Sequence, residues 1–65
     1  MYDVSFYNNE IFVIETELAV LPQKGDNLII SLDNEEAQFI VEKITRVLEF
    51  KNSNKTKEYW KVELK

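Results

Sequence analysis

From its first residues the chain alternates between apolar and polar positions. Tyr2, Val4 and Phe6 fall on one phase of a period of two, with Asp3 and Ser5 on the other, the pattern of a half-buried strand. Asn8-Asn9 follows, and asparagine tolerates the positive φ angles that tight hairpin turns require. Residues 11–18 then return as a second strand rich in β-branched side chains, with Glu15 and Glu17 directed to solvent near its end. The chain is expected to open with a β-hairpin.

The strongest punctuation is Leu21-Pro22-Gln23-Lys24-Gly25-Asp26, which holds the only proline and the only glycine. Proline presets φ and removes a ladder donor, and glycine reaches backbone angles closed to other residues. A third strand is expected from Asn27 to Leu32, its contiguous Leu28, Ile29 and Ile30 suggesting cover on both faces. Asp33-Asn34-Glu35-Glu36 reads as a polar turn. Near the end, Lys51-Asn52-Ser53-Asn54-Lys55-Thr56-Lys57 reads as a polar loop. Trp60, Val62 and Leu64 then alternate with Lys61 and Glu63, a final strand with one buried face.

Residues 35–50 read two ways. As a helix, Ala37, Ile40, Val41, Ile44, Val47 and Leu48 form one apolar stripe, and Asp33 or Asn34 is available as its cap. As a strand, Phe39 and Val41 share a face, and Ile44 joins them only if a bulge at Glu42-Lys43 inserts one residue. Periodicity favours the helix. The β-branched Ile40, Val41, Ile44, Thr45 and Val47 favour the strand.

The order of these signals resembles a group of small proteins of bacteria and their phages that look like short SH3-like or related open barrels. The matching pieces are Val4-Ser5-Phe6-Tyr7, the Pro22-x-x-Gly25-Asp26 turn, Leu28-Ile29-Ile30, Phe39-x-Val41-x-x-Ile44 and Trp60-x-Val62-x-Leu64. The chain departs from the group in its longer acidic turn before Phe39. The resemblance implies that residues 37–50 are one long bent strand. The expected fold is therefore mainly β, a small five-stranded antiparallel SH3-like barrel or strongly bent sheet. The alternative is α+β, with a helix at about 35–50 packed on an antiparallel sheet. The resemblance carries no functional residues, because small barrels host many unrelated activities.

Composition narrows the setting. Sixty-five residues make one domain, and a chain of that size buries only about 60% of its unfolded surface, which leaves a thin core. With no cysteine there is neither a disulfide nor a thiolate metal site, and with no histidine the commonest general base is missing. The first residues lack the basic flank and apolar run of a signal peptide. The longest apolar runs, Ile11 to Ile14 and Leu18 to Leu21, fall far short of a membrane span. The expected location is the cytoplasm, that of the host if the chain is phage-encoded.

Charge is unevenly spread. Residues 1–36 hold eight acids and one base, Lys24, while residues 37–65 hold four acids and seven bases, so the halves carry −7 and +3 of the net −4. Such asymmetry marks a binding surface or head-to-tail association, or simply solvated faces that segregate.

The residues offer little chemistry. Ser5, Ser31 and Ser53 have no histidine to activate them. Glu35-Glu36 and Glu15/Glu17 lack the cleft that raises a catalytic carboxyl's pKa. Asp33-Asn34-Glu35-Glu36 has oxygen ligands but neither the spacing nor the glycine of an EF-hand. Gly25-Asp26 is a turn without the further glycines of a phosphate loop. No enzyme activity, cofactor or metal is expected.

The leading expectation is a non-catalytic protein–protein interaction module, an accessory or inhibitor protein of phage or mobile-element type that blocks a partner surface. Its candidate acidic face is Glu10, Glu15, Glu17, Asp33, Glu35 and Glu36. Exposed strand edges make a homodimer a further expectation. A second reading is a small nucleic-acid-binding barrel using Lys51, Lys55, Lys57, Tyr59 and Lys61, since lysines neutralise phosphates and aromatic faces stack bases. Trp60 shares the phase of Val62 and Leu64 and so reads as a core anchor. A third reading is a structural component of a larger assembly.

Overall fold

Three of the connections are two-residue turns made of polar side chains held at positive φ. They are Asn9-Glu10 (51° and 67°), Asp33-Asn34 (51° and 68°) and Asn52-Ser53 (52° and 67°). Two successive positive φ angles mark the type I′ turn, whose twist matches that of the flanking strands. The computed structural model describes residues 1–65, and these turns link β1 (Tyr2–Asn8) to β2 (Ile11–Leu18), β3 (Asn27–Leu32) to β4 (Glu35–Lys51), and β4 to β5 (Asn54–Leu64). No helix is present.

The first turn therefore sits one residue later than Asn8-Asn9 and includes Glu10. Asp33-Asn34 forms its turn alone, while Glu35 and Glu36 already belong to β4. The expected polar loop over 51–57 is corrected more deeply: only Asn52-Ser53 turn, and Asn54 to Lys57 continue as strand. A polar composition does not preclude a strand where neither face is buried.

The five strands make one sheet in the order β2-β1-β5-β4-β3. β1 pairs antiparallel with β2 on one side and parallel with β5 on the other, with Val4 beside Trp60 and Phe6 beside Val62. This corrects the expected all-antiparallel arrangement. Parallel neighbours need a long crossover, and here the whole of β2, β3 and β4 supplies it. What the structure carries of the resemblance is a curled five-stranded sheet, a half-barrel.

The region that read two ways is a single strand, which overturns the helical alternative. β4 runs 17 residues, pairing with β3 through Glu35–Ile40 and with β5 through Val41–Lys51. Its register slips between Val41 and Lys43, so Glu42 is an extra residue at the position where a strand reading requires a bulge. The bulge explains the misleading period. It turns a step of two into the three-residue step from Val41 to Ile44, which imitates a helical stripe.

The same bulge bends β4 and brings β3 over the concave face. Val4, Phe6, Val41, Val62 and Leu64 are buried there, with Leu28, Ile30, Phe39, Ile44 and Trp60 packed around them. Trp60 is the core-side residue its phase indicates. β3 alternates, with Leu28 and Ile30 half-buried and Ile29 61% exposed, so only one of its faces is covered. Only six residues are buried in all, and the molecule is long for its mass, 41 × 24 × 24 Å.

The turn at Pro22 locks the bend. Asp26 donates its N–H to the Gln23 carbonyl (3.0 Å), and Gln23 donates to Asp26 Oδ2 (2.8 Å). Gly25, at φ 92°, supplies the turn's left-handed residue.

Candidate binding surfaces

β2 and β3 lie at opposite ends of the sheet order and share no backbone pairing. Because the sheet curls, their concave sides approach one another without joining. The seam is an apolar groove of about 460 Å³ whose lining includes Phe6, Ile14, Leu18, Val20, Leu21 and Leu28. A smaller recess of about 190 Å³ continues it past Val13 and Ile30 to Glu35 and Glu36. Both flanking strands keep an unpaired outer edge, the feature by which a sheet accepts a further strand.

The candidate acidic residues divide around this seam. Glu15 and Glu17 are exposed on β2, opposite Ser5 and Asp3 of β1. Asp33, Glu35 and Glu36 are exposed at the β3–β4 turn and the start of β4. Glu15 and Glu17 take the phase of β2 opposite to the groove-lining Ile14 and Leu18, and Glu35 and Glu36 border the smaller recess from β4. Glu10 does not join them. It lies at the other end of β1, in a recess shared with Asn9, Glu42 and Glu63. No cluster of acids has the geometry to hold a metal ion.

The basic and aromatic set also divides. Strand alternation places Lys57, Tyr59 and Lys61 on the convex face of β5. There Lys57 Nζ stands 5.0 Å from the centre of the Tyr59 ring and Lys61 Nζ 4.9 Å from that of Tyr7. Tyr7 in turn meets Phe12 edge-on, ring centres 5.7 Å apart. Lys55 points to the other face, donating to Glu58 Oε1 at 2.7 Å. Lys51 sits beside the hairpin tip, opposite Asn54. The convex row is not purely basic, because Glu49 lies opposite Lys57 and Glu63 opposite Lys43.

Glu58 stands between two cations. The Lys55 ammonium, then the Arg46 guanidinium, hold its carboxyl below the ordinary glutamate value. Arg46 Nε donates to Glu58 Oε2 at 2.7 Å, and Nη2 reaches the same oxygen. Arg46 also lies 5.8 Å from the centre of the Trp60 ring, which meets Tyr2 edge-on. The cluster ties the base of the β4–β5 hairpin to β1.

Sequence reasoning did not find the groove. Its one local signal was the apolar run Leu18-Ala19-Val20-Leu21 leading into Pro22, which continues past the end of β2 with nothing local to bury it. No protein-family model, no curated protein and no solved structure matches the chain. No helix is long and apolar enough to cross a membrane.

Proposed function

We propose that this chain is a non-catalytic protein–protein interaction module that captures an extended segment of its partner in the seam between β2 and β3. The observation that carries this reading is the seam itself: an apolar groove bounded by two unpaired strand edges. A segment laid there gains backbone hydrogen bonds from an edge and sinks alternate side chains into the groove. The carboxylates of Glu15, Glu17, Asp33, Glu35 and Glu36 select a segment carrying lysine or arginine between its apolar positions. An accessory or inhibitory role follows from the same mechanism, since a module without chemistry acts by covering what it binds.

Val20 and Ile29 line the groove while remaining 78% and 61% exposed, so they can be changed without disturbing the core. A pull-down from host lysate with the wild-type chain is expected to recover a stoichiometric protein that Val20→Lys/Ile29→Lys loses. No such protein, or one retained equally by the double variant, overturns the reading.

The convex row Lys57, Tyr59 and Lys61 supports nucleic-acid binding as the second reading. Lys57 already lies over one face of Tyr59, and Lys61 over one face of Tyr7, which weighs against base stacking. Salt-dependent binding of a labelled single-stranded oligonucleotide, weakened by Lys57→Ala and unaffected by Val20→Lys/Ile29→Lys, would replace the first reading with this one.

A further inference from the structure

β4 has a second unpaired edge, on a surface separate from the seam. Its pairing with β3 ends at Ile40, and the N–H and C=O of Val41 are taken by Asp26 and Gly25. From Glu42 to Phe50 the side of β4 away from β5 meets no strand. The segment is rich in β-branched and apolar residues (Ile44, Thr45, Val47, Leu48) and holds no proline or glycine. Such an edge is a template for another strand.

The surface area also indicates an absent neighbour. A compact monomer of 7.7 kDa is expected to expose roughly 4,300 Å², whereas this chain exposes 5097 Å². The excess, roughly 800 Å², is about what one partner gives up in a stable interface of standard size.

We infer that the edge from Glu42 to Phe50 pairs antiparallel with the same edge of a second copy, forming a two-fold dimer centred on Arg46. Symmetry restricts the register. A two-fold axis between antiparallel neighbours stands normal to the sheet and keeps each face continuous, so residues of like phase must oppose one another. Centring on Val47 sets Lys43 against Lys51, a repulsion repeated twice by symmetry. Centring on Thr45 leaves every charge on the edge without an opposite. Centring on Arg46 sets Lys43 against Glu49 twice, Ile44 against Leu48 twice and Thr45 against Val47 twice.

The residues concerned are free to make these contacts. The chain has two ion pairs, both to Glu58; Lys43 and Glu49 face Glu63 and Lys57 across β5 without closing an ion pair. Lys43 and Glu49 are exposed, and Leu48 is 44% exposed. The two Arg46 side chains that meet at the axis are each neutralised in advance by their own Glu58. Opposite charges facing across strands stabilise a pairing and like charges oppose it.

Sedimentation velocity of the chain, from low-micromolar to sub-millimolar concentration, tests the inference. The wild type is expected to dimerise reversibly. Lys43→Glu and Glu49→Lys each replace two attractions by two repulsions and should raise the dimer Kd about 10- to 30-fold. The double exchange Lys43→Glu/Glu49→Lys restores both attractions and should return Kd to near the wild-type value. Far-ultraviolet circular dichroism of each variant confirms that the sheet is intact. A wild-type chain that stays monomeric throughout overturns the dimer. A double exchange as weak as either single change overturns the register. Val20→Lys/Ile29→Lys should leave Kd unchanged, so failure here and failure of the seam are read separately.

Discussion

Gly25 donates its backbone N–H to the carbonyl of Val41 at 2.8 Å, and Val41 donates in return to the carbonyl of Asp26 at 2.9 Å. This pair of bonds fastens the Pro22–Asp26 turn to the strand residue just before the Glu42 bulge. The turn thereby fixes the bend that carries β3 over the core.

Replacing Gly25 should test that fastening. Its φ of 92° lies where side chains are strained, yet an added Cβ would meet nothing within 4 Å. Gly25→Ala is therefore expected to destabilise through backbone strain alone, by about 1–2 kcal/mol. Urea denaturation followed by Trp60 fluorescence measures it. An unchanged midpoint would show that the turn relaxes freely.

The type I′ turns predict the opposite sign. Glu10 and Ser53 sit at φ 67° without being glycine. Glu10→Gly and Ser53→Gly remove that strain, and the added flexibility of the unfolded chain offsets only part of the gain. Each should stabilise by about 0.5–1 kcal/mol in thermal denaturation.

Core and hairpin substitutions should separate sharply. Leu64 is 2% exposed within the core and Leu48 is 44% exposed on the free edge of β4. Leu64→Ala is expected to cost about 2–5 kcal/mol, a large part of the stability of so small a domain. Leu48→Ala, measured at concentrations where the chain is monomeric, should cost less than about 1 kcal/mol.

The Glu58 cluster predicts a pH dependence. Lys55 and Arg46 depress the folded-state pKa of Glu58 below 4.5, so its contribution is present at pH values above the unfolded pKa. It is lost as pH falls through the folded value. Glu58→Gln should therefore melt below the wild type at pH 7, and the two melting temperatures should converge as the medium is acidified below pH 4. A difference that persists undiminished at low pH would assign the effect to packing. Because the pair is exposed, the effect should be small and should shrink with added salt.

Local rules carried much of the fold. Period-two alternation located β1 and the second half of β5, and turn-forming residues located the first two hairpins to within a residue or two, whereas the third turn read as a loop over 51–57 and hid the first half of β5. The Pro-x-x-Gly-Asp signal marked the turn that organises the centre. Those features depend on neighbours in the chain, so the sequence alone determines them. The strand character of residues 35–51 needed more, since its periodicity crosses a bulge that only pairing with both β3 and β5 makes favourable. The acidic and basic candidates were legible as composition but not as surfaces. Lys55 and Lys57 take opposite faces because Thr56 is a bulge residue in β5, and Glu10 parts from Glu15 through the first turn.

Contacts between residues far apart in the chain follow no such local rule. The parallel contact of β1 with β5 joins residues more than fifty positions apart, Val4 with Trp60, and no local preference encodes such a pairing. It places β2 at one end of the sheet and, through the bent β4, β3 at the other. The seam between them and the bare edge of β4 are both consequences of that closure. A strand edge is satisfied or unsatisfied by distant backbone, whereas alternation and turns answer to the residues alongside them.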